Sequence, residues 1–267
     1  MSNLAMLSRV ARTLVLSVWL AGLGLAQNAT TRTVHVFVAL ADNQHQGIVP
    51  VPARLGNGLD ARNNLYWGAA AGVKTFFARS SDWALLECRE RPEPDVLERC
   101  IFRHRRADVY LVADAYRGDE IRHALLNFFD AAAGAAPETI TLSSTTQAGK
   151  PAIHGGANLV VYVGHDGLMD FQLPQVTRKK NEIRRDAIIL ACASKQYFAE
   201  PLRTSGAYPL LWTTNLMAPE AYTLKSALDG WIAGEKNDQI RERAATAYDK
   251  YQKCGHPAAL RLFATGW

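Results

Sequence analysis

The chain has 267 residues, 48% of them hydrophobic, and its 30 lysine and arginine residues against 25 aspartate and glutamate residues give a formal net charge of +5. This length is sufficient for one α/β domain with a full core. The charge excess is too small to indicate a nucleic-acid partner, so none is expected.

Residues 1–26 have the three parts of a secretory signal peptide. Arg9 and Arg12 provide a basic start, and an uncharged apolar stretch runs from Leu14 to Leu25. Gly24 and Ala26 supply small residues at the −3 and −1 positions of a cleavage site. We therefore expect cleavage after Ala26.

Removal of this segment leaves residues 27–267, which we interpret as a single exported domain, secreted or periplasmic. The apolar stretch is shorter than the ~20 residues that span a bilayer, and no later segment approaches that length. We therefore expect no stable membrane anchor after cleavage. An uncleaved N-terminal anchor is the alternative interpretation.

The four cysteines all fall in the exported part of the chain. Cys88 and Cys100 flank the polar segment 89–94, which we interpret as a surface excursion that a disulfide would close, contributing about 3 kcal/mol in the chain-entropy model. If they pair, Cys192 and Cys254 remain as thiols that are either reactive or buried, although a Cys192–Cys254 bridge is also open. No Cys-x-x-Cys or similar spacing occurs, so neither a metal nor a cofactor is expected.

The first predicted strand, Thr33–Ala41, ends at Asp42 and Asn43. These side chains would reach the carboxyl edge of the sheet and orient a catalytic group or bind substrate, or they would simply form the turn after the strand. Loop 43–58 is rich in Gly and Pro and is long for a compact domain, which predicts a binding or lid loop. Helical spacing of apolar residues then predicts a helix over residues 64–77.

Strands and helices alternate along the remainder of the chain. Runs of β-branched and apolar residues predict strands, and apolar residues at helical spacing predict the helices. The predicted strands are 108–114, 159–163, 187–191 and 208–215, and the predicted helices are 119–133, 219–232 and 238–251. This alternation predicts an α/β fold with a mostly parallel sheet and helices on both faces.

Two of the predicted strands lead into reactive side chains. Strand 159–163 is followed by Gly164 and His165, and strand 187–191 is followed by Cys192, 27 residues after the histidine. Right-handed crossovers place neighbouring parallel strand ends on the same edge, where open α/β sheets bind ligands. An imidazole beside a thiol activates the sulfur or stabilises its anion. The residues after Cys192 also predict a helix start, whose dipole would lower the thiol pKa.

The segment 158–215 resembles the caspase-like cysteine peptidases, the group that includes caspases, legumains, gingipains, clostripain and separase. The resemblance rests on an apolar strand ending in histidine closely followed by glycine, and then an apolar strand ending in Ala-Cys-Ala-Ser. It implies a three-layer α/β sandwich in which His165 is the base or proton donor and Cys192 the nucleophile. It also implies an oxyanion hole formed by the backbone N–H groups of Gly167 and Cys192.

One residue departs from the family pattern. Caspase-like peptidases usually have glycine directly after the histidine, whereas this chain has Asp166 between His165 and Gly167. The inserted carboxylate would either orient the imidazole or disturb the geometry of the oxyanion hole.

Thr213, Thr214 and Asn215 follow the next predicted strand. Caspase-like peptidases build part of their substrate pocket from this region, so the resemblance implies a role in specificity, although the same segment could equally be core. No residue is identifiable in the sequence as the floor of a pocket, so the preferred substrate side chain is not predicted.

The His165–Cys192 pair and the predicted signal peptide, together with what the caspase-like resemblance implies, predict an exported cysteine endopeptidase that acts on peptide or protein substrates through a thioester acyl-enzyme. Two alternatives remain. One is a catalytically inactive exported α/β binding or assembly protein that uses loop 43–58 for recognition, and the other is a hydrolytic enzyme of another kind, with an α/β fold, that uses the same edge of the sheet. The sequence does not indicate an oligomeric state.

Overall fold

A computed structural model describes residues 31–143 and 150–267, so the predicted signal peptide lies outside the described residues. The strands are β1 (Arg32–Ala39), β2 (Trp83–Glu93), β3 (Val96–His104), β4 (Val109–Tyr116), β5 (Glu138–Thr139), β6 (Ala152–Ile153), β7 (Leu159–Val163), β8 (Asp186–Leu190), β9 (Tyr208–Thr213) and β10 (Phe263–Ala264). The helices are α1 (Val73–Ala78), α2 (Ile121–Ala133), α3 (Ser194–Ser205), α4 (Ala221–Ile232), α5 (Asn237–Gln252) and α6 (His256–Leu262).

An eight-stranded sheet forms the centre of the structure, in the order β10-β9-β8-β7-β1-β4-β3-β2. The five central strands run parallel to one another, and β10, β3 and β2 are added antiparallel at the two edges. Every residue of β7 is buried, which explains its uninterrupted apolar sequence, because a parallel strand between two helical layers has no solvent-facing side. The predicted α/β class with a mostly parallel sheet is confirmed.

Helices cover both faces of this sheet. On one face, Phe128 of α2 and Phe198 of α3 pack in one core cluster with Tyr162 of β7. On the other face, residues of α1, α4 and α5 pack in a second cluster with Val34 and Val36 of β1. Within the two described ranges, no helix combines the length and the apolar character needed to cross a membrane.

The prediction of a helix over residues 64–77 is wrong for most of that span. Only its end is helical, as part of α1, and the residues before it form successive turns. Asn64 is fully buried: its side-chain oxygen accepts from Ala41 N–H at 3.0 Å, and its amide donates to Ala41 C=O at 2.8 Å. A side chain at Gly68 would collide with the carbonyl of Arg62. The contact of Asn64 with the chain just after β1 and the close approach of Gly68 to Arg62 override the helical spacing of the apolar residues.

Strands β2 and β3 form a hairpin where the sequence suggested a surface excursion. Cys88 and Cys100 are opposite each other in this hairpin and form a disulfide. Strand β2 of this hairpin is the outer edge of the sheet. It pairs with β3 on one side only, so polar residues and Pro92 are tolerated in it. Cys192 and Cys254 are both free thiols, so the structure does not contain the alternative Cys192–Cys254 bridge.

A buried polar cluster joins β1, β3 and β4. His35 is fully buried and lies with Nε2 2.9 Å from Asp114, while its Nδ1 accepts the backbone N–H of His154 at 3.0 Å. Burial lowers the pKa of His35 to about 4, although the neighbouring Asp114 opposes this shift. Burial alone would raise the pKa of Asp114, but hydrogen bonds from Arg99 and His35 hold it well below its ordinary value. The cluster is therefore a neutral imidazole beside an Arg–carboxylate pair.

We expect His35 to make folding less favourable in acid. An unfolded histidine with a pKa near 6.5 binds a proton that folded His35 does not bind until about pH 4. The stability of the wild type relative to His35→Gln should therefore decline as the pH falls from about 6.5 to about 4. Glutamine can still donate to Asp114 and accept from the backbone. Urea unfolding at several pH values measures this difference, and a pH-independent difference would contradict the prediction.

We expect the Cys88–Cys100 disulfide to stabilise the fold without affecting the candidate site. The double variant Cys88→Ala/Cys100→Ala should lower the free energy of unfolding by roughly 2–4 kcal/mol. The matched control is Cys254→Ser, which removes an exposed free thiol and should change stability by less than about 0.5 kcal/mol. Equal unfolding midpoints for the two variants would show that the bridge contributes nothing.

Candidate functional site

The parallel register of β7 and β8 places His165 and Cys192 at equivalent positions. Val163 pairs with Leu190, and the chain continues the pairing through the Gly164 N–H, which donates to the Leu190 carbonyl at 3.2 Å. His165 and Cys192 each lie two residues beyond the last pair. The two side chains predicted to form a reactive pair therefore leave neighbouring strands at the same level of the same edge.

His165 and Cys192 also line one pocket of about 410 Å³. The rest of its wall comes from loop 43–58, from Leu65 and Tyr66, from Gly164, from Met169, from the segment 216–220 and from Gln252. Pockets of this size at the carboxyl edge of a parallel sheet are typical ligand sites. The sequence predicted the strand ends and a binding or lid role for loop 43–58, and the structure adds the other residues that enclose them.

His165 is held by a carboxylate that the sequence analysis did not identify. Its Nε2 lies 2.6 Å from Oδ2 of Asp170. Gly167–Met169 form one turn of 3₁₀ helix, which returns the chain toward the histidine and brings Asp170 beside it. The same Asp170 oxygen accepts the backbone N–H of Gly47 at 3.2 Å, so loop 43–58 is joined to the partner of the imidazole. A carboxylate in this position fixes the ring orientation and stabilises an imidazolium.

Asp166 has a different environment from the one the sequence suggested. It is fully buried, and its Oδ1 accepts the backbone N–H of Leu168 at 3.0 Å, as the cap of the short 3₁₀ turn. Its Oδ2 is buried without a hydrogen-bond partner among the described residues. Burial, together with the charge of Asp170, raises the pKa of Asp166 to about 7, although the hydrogen bond from the Leu168 N–H opposes the shift. A substantial fraction of Asp166 is therefore neutral at physiological pH.

Cys192 is a partly buried thiol. Burial raises its pKa above the ordinary value, a hydrogen bond from the Met217 backbone N–H to the sulfur opposes this shift, and the charge of Asp166 adds to it. The N–H lies 3.4 Å from Sγ. The expected helix start is present at Ser194, but the expected lowering of the thiol pKa is wrong, because desolvation outweighs the other influences. The resting sulfur is therefore protonated.

The turn that follows Cys192 is fixed on both sides. Ala193 adopts a left-handed conformation with φ of 46°, which is unfavourable for a residue with a side chain. Its N–H donates to the Asn215 carbonyl at 2.9 Å. The Ser194 N–H donates to the Thr213 hydroxyl at 3.1 Å, and the Thr213 N–H donates back to the Ser194 hydroxyl at 3.0 Å. These bonds hold the backbone in a conformation that would otherwise relax.

The three residues suggested for substrate specificity lie behind and beside the pocket. Thr213 is fully buried and stabilises the turn after Cys192. The Thr214 hydroxyl donates to the Arg261 carbonyl at 2.8 Å, at the end of α6. Thr214 and Asn215 line a separate depression that also contains Cys254. None of the three is among the residues that line the pocket of His165 and Cys192.

Asp42 and Asn43 shape loop 43–58. Asp42 accepts the N–H groups of Gln44 and His45, forming the turn that follows β1. The Asn43 amide donates to the Val51 carbonyl at 2.8 Å and accepts the Val51 N–H at 3.1 Å. Neither residue lines the pocket, but they position the loop residues that do. These hydrogen bonds agree with the second alternative from the sequence, in which Asp42 and Asn43 form the turn after the strand.

The two suggested oxyanion donors differ in availability. The Gly167 N–H donates to the His165 carbonyl at 3.1 Å, and Gly167 does not line the pocket. The Cys192 N–H has no acceptor among residues 31–143 and 150–267. Any carbonyl bound against Cys192 would therefore find this N–H unoccupied.

Comparisons of the chain with protein-family models, with curated proteins and with solved structures found no match. The caspase-like resemblance stays a prediction from the segment 158–215.

Sequence reasoning missed Asp170 and the backbone contact of Met217 with the sulfur, but it predicted loop 43–58 as a binding or lid loop, and residues of that loop line the pocket. Asp170 lies five residues after His165, and the only signal for it is the Asp-Gly pair at 166–167, which favours a turn that folds the chain back. Met217 contacts the sulfur through its backbone, and a backbone contact has no signature in residue type.

We expect Asp166→Asn to stabilise the protein at alkaline pH. A folded acid with a pKa near 7 retains a proton that the unfolded acid loses near 3.8, so wild-type stability falls relative to the variant as the pH rises through this interval. The gain at pH 8 relative to pH 4 should be on the order of 2–4 kcal/mol. Asparagine keeps the acceptor for the Leu168 N–H. Parallel stability curves for the two proteins from pH 4 to pH 8 would contradict the expectation.

Proposed function

We propose that this chain is an exported cysteine peptidase of caspase-like architecture. The observation that supports it best is the β7–β8 register, which sets His165 and Cys192 level with each other on the wall of one pocket. The sheet with helices on both faces agrees with the three-layer arrangement of that family. The Cys88–Cys100 disulfide is compatible with an oxidising compartment outside the cytoplasm.

The reaction begins from a neutral thiol because burial raises the pKa of Cys192. As the sulfur bonds to the peptide carbonyl carbon, the imidazole of His165 takes the thiol proton and the carbonyl electron pair moves to oxygen. The Cys192 N–H stabilises that oxygen. Collapse of the intermediate breaks the C–N bond, and the leaving amine takes the proton from His165. Water then cleaves the thioester, releasing the acid and restoring the thiol.

Asp170 is a positioning residue in this scheme. Its carboxylate lies 2.6 Å from His165 Nε2, so it holds the ring in one orientation and stabilises the imidazolium that exists between the two proton transfers. The ring nitrogen left for proton exchange is then Nδ1. In this scheme Asp170, rather than Asp166, is the carboxylate that orients the imidazole.

Thiol labelling tests the His165–Cys192 pair directly, and the free thiol of Cys254 serves as an internal reference. Iodoacetamide should alkylate Cys192 at least tenfold more slowly in His165→Ala than in the wild type at pH 7, because no base remains to take the thiol proton. The exposed Cys254 should react equally in both proteins. Asp170→Asn should give an intermediate rate. Quantitative mass spectrometry of the two cysteine peptides measures all three proteins.

Hydrolysis provides the second readout. The wild type should cleave peptides in a mixed library, and Cys192→Ala should not, with both proteins showing the same thermal unfolding. An unchanged Cys192 to Cys254 labelling ratio in His165→Ala, together with no cleavage by the wild type, would contradict the peptidase proposal. That result would favour the inactive binding or assembly protein of the same fold.

A further inference from the structure

We propose that the pocket beside Cys192 receives an aliphatic side chain, so that the protein cleaves after apolar residues such as leucine. This inference rests on the proposed function and specifies its substrate class. Since Cys192 lines the pocket, the side chain on the carbon next to the attacked carbonyl lies within reach of the pocket walls.

The composition of the wall carries the inference. Loop 43–58 contributes Ile48, Val49 and Val51, and the opposite segment contributes Leu216 and Met217. An apolar wall of this kind is complementary to an apolar group, because both surfaces lose contact with water when they meet.

Several of these apolar side chains are exposed to solvent. Val49 is 84% exposed, Leu216 is 67% exposed and Met169 is 42% exposed, and all three border this one pocket. Isolated exposed apolar residues are common on protein surfaces, but a group of them around a concave site marks a surface that binds an apolar partner. Each would be covered by a side chain entering the pocket.

The charged groups of the wall argue against ionic substrates. Among the lining residues, His165 and Glu220 are the titratable groups besides Cys192 and Tyr66, and no lysine or arginine is present to pair with an acidic side chain. Glu220 is already engaged, because one of its oxygens accepts from the Tyr222 hydroxyl at 2.7 Å and from the Gln252 amide at 3.1 Å. A basic substrate side chain would have to compete for this carboxylate, whereas an aliphatic one leaves these hydrogen bonds intact.

Peptide probes that alkylate cysteine distinguish the substrate classes. The probes are acetyl-Ala-Ala-X acyloxymethyl ketones in which X is Leu, Ala, Arg or Asp, and the readout is the rate of Cys192 modification. The Leu probe should react at least tenfold faster than the Ala, Arg and Asp probes, because burial of the isobutyl group favours the bound state. A fastest reaction with Arg or Asp would overturn the inference and leave the proposed function standing.

Failure of the proposed function gives a different pattern. In that case all four probes modify Cys192 at the same rates in the wild type and in His165→Ala. This control separates a wrong substrate class from a thiol that the histidine does not activate.

Surface variants test whether the named wall sets the preference. Val49→Ser and Leu216→Ser should each reduce the ratio of Leu-probe to Ala-probe rates several-fold, and neither side chain is buried enough to endanger folding. Ile183→Ser is the matched control, because Ile183 is 63% exposed and does not line the pocket. An unchanged ratio in both wall variants, or an equal reduction in Ile183→Ser, would overturn the assignment of the wall.

Discussion

The pairing of Val163 with Leu190 is the constraint on which the candidate site depends. A shift of one residue in this register would turn His165 or Cys192 to the opposite side of the sheet. The register is itself secured by burial, since β7 and β8 lie between two helical layers with their apolar residues packed on both faces. The chemistry proposed for the edge of the sheet is therefore fixed by hydrophobic packing in its centre.

At this edge of the sheet, desolvation and hydrogen bonds have opposite effects on the pKa values of Cys192 and Asp166, and the effect of desolvation is the larger at both groups. Burial raises the pKa of Cys192 despite the N–H of Met217, and it raises the pKa of Asp166 despite the N–H of Leu168. A cysteine in such a place is a poor spontaneous nucleophile and depends on a base. This dependence explains why the pairing of His165 with Asp170 matters more in the proposed mechanism than the dipole of the helix that begins at Ser194.

The central strands and the position of the two reactive residues could be predicted because continuous apolar, β-branched runs identify buried parallel strands. The β2–β3 hairpin could not, because an edge strand is half-exposed and its polar residues resemble a loop. The helix expected over residues 64–77 failed because Asn64 is hydrogen-bonded to the backbone of Ala41 and because the preceding turn brings the carbonyl of Arg62 against Gly68. The role of Asp170 could not be predicted either, because it depends on a turn that folds the chain back toward His165 and not on any periodic spacing of residues.

The hydrogen bond from Gly47 to Asp170 links two parts of the site that have separate tasks. Loop 43–58 forms one wall of the pocket and Asp170 orients the imidazole, so any change in the loop that displaces Gly47 also removes a backbone donor from that carboxylate. The position of this wall and the orientation of the His165 ring therefore depend on one shared carboxylate oxygen.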